Sequence, residues 1–73
     1  MVDVARLIPI FCCETSRNHA LRKLSNRFPQ VPMRINTGFT GETGIEITAG
    51  TETIDKVKDY ITSTMTGTFR RFI

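Results

Sequence analysis

The chain has 73 residues, 40% hydrophobic and 23% charged, with a net charge of +3 at pH 7. That length allows one domain over residues 1–73 with a thin core, since so short a chain buries only about 60% of its unfolded surface, and the hydrophobic share argues against intrinsic disorder. The charge is uneven: residues 1–37 hold six Lys/Arg against two Asp/Glu, and residues 38–73 hold four against five, so the amino-terminal half can either meet a polyanion or form an ordinary solvated surface.

Residues 2–10, VDVARLIPI, are rich in β-branched side chains and read as a strand. Pro9 should mark the strand's end or an edge position, because it lacks the ladder N–H. Cys12 and Cys13 read as two small core residues near the strand end. Adjacent cysteines seldom satisfy disulfide geometry with each other. With no third cysteine, an intramolecular staple is not expected, and a reducing, intracellular, cytoplasmic setting is. The apolar run from Leu7 to Cys13 is too short to span a bilayer and lacks the features of a signal peptide, so no membrane partner is expected.

Residues 16–28, SRNHALRKLSNRF, read as a helix with Leu21, Leu24 and Phe28 as its apolar stripe. Thr15 or Ser16 would cap it and Pro29 would stop it. His19, Arg22, Lys23, Asn26 and Arg27 fall on the polar face. Residues 31–36, VPMRIN, alternate, with Val31, Met33 and Ile35 facing one way. TGFTGETG reads as a loop, and GIEITA over 44–49 alternates again, giving an antiparallel hairpin with one solvated face. Residues 51–65 carry the clearest helical stripe, Ile54, Val57, Ile61 and Met65. Thr51 would be its N-cap and Gly67 its C-cap. The tail TFRRFI, part of a possible C-terminal extension over 66–73, can dock on the core, add a strand or serve a partner through Phe69 and Phe72.

None of the motifs points to chemistry at a reaction centre. Gly38-x-x-Gly41-x-x-Gly44 opens into a strand rather than a helix, so it reads as a hairpin loop and not as a phosphate cradle. Cys12, Cys13 and His19 are too few for structural zinc, and adjacent cysteines are poorly placed to share one tetrahedral ion. No base, nucleophile and orienting group converge, so neither an enzyme, a metal nor a cofactor is expected. Arg17, Arg22, Lys23 and Arg27, joined by Arg34, form a basic face able to touch phosphate, without the interleaved aromatics that stack bases.

LRKLSNRFPQVPMRI followed by GIEITAGTETIDKVKDYI resembles the second half of a type I K-homology domain, and VARLIPI resembles that family's first strand. The resemblance covers most of residues 2–65. It implies a module that holds about four unpaired nucleotides between helix and sheet. Members of the family that bind RNA carry a Gly-x-x-Gly loop before the second helix. Here that position falls on Thr15, Ser16, Arg17 and Asn18, with no glycine. The literal Gly41-Glu42-Thr43-Gly44 lies instead in the loop between strands. The segment from Pro9 to Thr15 is also short, leaving the first helix a single turn or absent. The resemblance therefore implies a degenerate K-homology module.

The expected fold is α+β, a three-stranded antiparallel sheet with two or three helices on one face, in the order β-α-α-β-β-α with a shortened first helix. Its core would be Leu21, Leu24, Phe28, Met33, Ile35, Ile45, Ile47, Ile54, Val57 and Ile61. The expected function is a protein-interaction or scaffolding domain of an RNA-associated protein, contacting a protein partner, neighbouring K-homology domains or itself. Direct weak binding of single-stranded RNA through residues 15–18, Arg22, Lys23 and Arg34 is the second reading. A standalone adaptor without nucleic acid is the third.

Overall fold

The computed structural model describes residues 3–37 and 43–73. In chain order they form β1 (Val4–Leu7), β2 (Pro9–Phe11), α1 (Glu14–Arg27), β3 (Met33–Asn36), β4 (Thr43–Gly50), α2 (Thr51–Thr64) and β5 (Phe69–Phe72). The glycines at 38 and 41 of the hairpin loop lie outside the described residues. The fold is α+β, with one open antiparallel sheet and two helices.

Pro9 divides the first strand without shifting it. One register carries from Val4↔Gly50 through Leu7↔Ile47 to Ile10↔Gly44, so β1 and β2 lie in line along one edge of β4. Pro9 is the first residue of β2, a position where a missing N–H is tolerated. It does not end the strand, and β2 is not an edge, because β5 pairs with its other side. β3 takes the opposite edge of β4, from Met33↔Ile47 to Asn36↔Gly44.

This corrects the three-stranded expectation. The first strand is split in two, and the tail supplies β5. A shortened first helix is also absent, since only Cys12 and Cys13 separate Phe11 from Glu14, too few for a turn.

Both helices cover one face of the sheet. Leu7, Phe11, Ile45 and Ile47 from the strands pack with Ala20, Leu24 and Phe28 of the α1 region and with Ile54, Val57, Ile61 and Met65 of the α2 region. α2 buries Ile54, Val57 and Ile61 as its stripe foretells, but its caps are Gly50 and Met65 and not Thr51 and Gly67. α1 is rotated slightly from expectation: Arg17, Ala20 and Leu24 are its buried residues, and Leu21 is only half-buried. Phe69 and Phe72 pack against the same core, with Phe69 edge-on to Phe11 at 6.2 Å between centroids. Ile35 departs from the expected core at 46% exposed, because β3 is an edge strand whose extensive contacts are with β4 alone.

Ile8 and Ile10 face away from the helices and are nonetheless buried. Their side chains close over Gly44, where an added Cβ would stand 2.8 Å from Ile10 Cδ1 and 2.9 Å from the Pro9 carbonyl oxygen. The first neighbour is flexible, but the second is backbone held in the sheet. Gly44→Ala should therefore cost about 1–3 kcal/mol in urea unfolding, while Gly67→Ala, with nothing within 4 Å of its added methyl, should be close to neutral.

Among the described residues, no helix is long and apolar enough to cross a membrane.

Candidate functional site

The segment expected to stand in for the glycine loop becomes the first turn of α1. Cys13 is its N-cap, with an extended backbone and no capping hydrogen bond from its side chain. Thr15 and Ser16 therefore lie inside the helix, two and three positions past the cap, and Thr15 is exposed. The helix starts here because the bend at Cys12 and Cys13 ends the sheet, and the Cys13 carbonyl accepts from the Arg17 N–H at 3.0 Å.

Arg17 turns inward. It is 6% exposed, and its Nη1 donates to Thr43 Oγ1 at 2.6 Å. Its Nε and Nη2 both donate to Asn18 Oδ1, at 3.2 and 2.9 Å. Two of the seven residues assigned to RNA are thus engaged with each other. A buried polar group without partners is costly, and this fork of donors is what lets a guanidinium sit at the head of the buried stripe.

Arg34 is exposed but paired. Facing Glu46 across β3 and β4, it places Nη2 2.8 Å from Oε1. Arg6 stands 3.9 Å from the other oxygen of the same carboxylate. Arg34 projects on the sheet face opposite the helices, so it does not join the α1 cations: its register partner Glu46 alternates with the core residues Ile45 and Ile47.

Arg22 and Lys23 remain exposed on α1 beside His19. Arg27 rests over the Phe28 ring, 4.9 Å from its centroid. A shallow groove of about 350 Å³ lies between α1 and the turn after α2, bordered by Thr15, Ser16, His19, Lys23, Thr64 and Thr68. Hydroxyls and one ammonium at such a groove can hold an anion's oxygens. Phe69 and Phe72, read as protein contacts, are half-buried, and Lys58 Nζ lies 5.6 Å above the Phe72 ring.

Cys12 and Cys13 are exposed, not core residues. β2 ends at Phe11, so the following bend turns both thiols to solvent at the head of α1. Each sulfur is 3.4 Å from Ser16 Oγ, and the two sulfurs are 3.9 Å apart. The Ser16 hydroxyl, followed by the Ser16 backbone N–H and the Cys12 thiol, holds the Cys13 thiol below its ordinary ionisation range. The signal for this cluster in the sequence is Cys13-x-x-Ser16 directly after an apolar run. Among the described residues, no group of three or more His, Cys, Asp or Glu is placed to hold a metal ion.

Two expectations follow. Arg17→Ala should cost about 1–3 kcal/mol by stranding the Thr43 hydroxyl, whereas Arg22→Ala should change unfolding by no more than about 0.5 kcal/mol. In a Cys12→Ser background, the pH midpoint for Cys13 alkylation by iodoacetamide should be lower in folded protein than in urea, because the thiolate is the reacting form. Ser16→Ala should raise that midpoint.

Compared with known proteins, the chain matches no family model, no curated sequence and no solved structure, so its functional reading rests on this geometry.

Proposed function

We propose that the chain is a degenerate K-homology-like module that works through protein contact rather than by clamping RNA. The observation that carries this reading is the inward turn of Arg17. At the position where the resembled family opens a glycine loop to a nucleic-acid backbone, this chain runs straight into a helix and spends its guanidinium on Thr43 and Asn18. The sheet order supports the K-homology part of the reading: β4 lies between the first strand and β3, with both helices on one face.

The contact surface we assign is the β3 edge. β3 pairs with β4 on one side only among the described residues, and exposed Ile35 lies beside half-buried Met33 along the strand's sequence. A free edge bearing an apolar side chain is a template for strand addition. β5, at the other edge, carries Arg70 and Arg71, and charge of that kind discourages pairing. The protein partner would be a neighbouring domain or a separate chain presenting an extended segment.

The second reading, weak binding of single-stranded RNA, is favoured by Arg22 and Lys23, exposed together on α1 beside the hydroxyl-lined groove. Fluorescence anisotropy with a randomised single-stranded RNA pool separates the two. The first reading expects no saturable binding by folded protein at low or moderate salt. Salt-sensitive binding, weakened by Lys23→Ala, would replace it with the second. In the complementary experiment, a photo-crosslinking side chain at position 35 should capture a discrete protein from extract. The same group at exposed position 62 on α2 should not. Equal capture at both positions would remove the β3 edge from the proposal.

A further inference from the structure

We propose that Cys12 and Cys13 form a two-thiolate binding site for a soft metal ion at the head of α1. The argument rests on the placement of the sulfurs. Adjacent residues on an extended strand point to opposite faces. Here the chain bends between β2 and α1, and both thiols come to the same side, 3.9 Å apart. An ion about 2.3 Å from each sulfur, the usual thiolate distance for zinc, would see them at an angle of about 116°, close to tetrahedral. The pair can thus take one ion without rearrangement. A disulfide is disfavoured because adjacent Cα atoms stand about 3.8 Å apart, closer than a disulfide ordinarily bridges.

Further features fit a soft metal ion. Both donors are sulfur, which selects soft ions over magnesium or calcium. Both are exposed, which leaves an entry path and room for solvent to complete the shell. Ser16 Oγ lies 3.4 Å from each sulfur, equidistant and able to donate to either once it is a thiolate. The N–H groups of the first turn, that of Ser16 among them, favour the negative charge that two thiolates bring. Binding exchanges two S–H bonds for two sulfur–metal bonds and releases two protons, with no electron transferred.

Cadmium chloride is the probe. Titrated into the intact chain, it should bind one ion per chain and develop thiolate-to-metal charge-transfer absorption. Cys12→Ser and Cys13→Ser should each weaken binding at least tenfold, and a hundredfold excess of magnesium should not compete. Because both side chains are exposed, the variants should keep the parent circular dichroism. Wild-type protein with both thiols blocked by iodoacetamide provides a second comparison that needs no refolding. Three results would overturn the proposal: equal affinity in either single variant, retention of binding after blocking, or half an ion per chain. The last would assign the thiols to a four-sulfur site shared by two molecules.

Discussion

Ile45 and Ile47 have no exposed surface, and the molecule is arranged to keep it so. They project from β4, the strand that pairs with β1 and β2 on one side and β3 on the other. Both helices then lie over their face. Burying two β-branched side chains on a central strand is worth several kcal/mol at about 25 cal/mol per Å². In a chain of this size, little else is available to offset the entropy of folding. Gly44 at the start of the same strand serves the opposite face, where the absence of a side chain lets Ile10 and Ile8 close in. β4 is thus packed from both sides, by side chains on one and by close approach on the other.

The parts of this arrangement that depend on local periodicity could be read directly. The stripe Ile54, Val57 and Ile61 gave α2, and the alternation of Ile45 and Ile47 gave β4 and its inward face. What could not be read depends on distant partners. Arg17 looks like a surface cation until Thr43, 26 positions away, supplies an acceptor. With Arg17 inward, the buried stripe of α1 includes Arg17 and Ala20, and Leu21 is only half-buried. Ile35 has the right alternation for a core residue, but alternation does not reveal that β3 is an edge without a helix above it. In the tail, the two phenylalanines are three apart and not two. A strand can place both on one face only through the register shift that the Phe11 and Ile10 pairings show, leaving Arg70 as the extra residue.

The site followed the same division. Exposed Arg22 and Lys23 were legible from helical spacing. Arg34 was legible as exposed, but not as the partner of Glu46, since that pairing is set by strand register. The cysteines were misplaced because an apolar run suggested that the strand's buried character continued through them. One bend after Phe11 reverses that and turns two expected core residues into an exposed pair of free thiols.

The first strand also sets how the chain must assemble. Phe11 meets Thr43 across one ladder and Phe69 across the other, 32 and 58 positions along the chain. Each closure costs loop entropy before any ladder bond or buried contact repays it. α1, α2 and the β3–β4 hairpin involve near neighbours, whereas β2 has distant partners on both sides. Folding should accordingly be slower than for a helical bundle of equal length. Until those partners close on it, the apolar run from Leu7 to Phe11 is unpaired, which makes it a segment that a nascent or refolding chain needs to keep from pairing with another molecule.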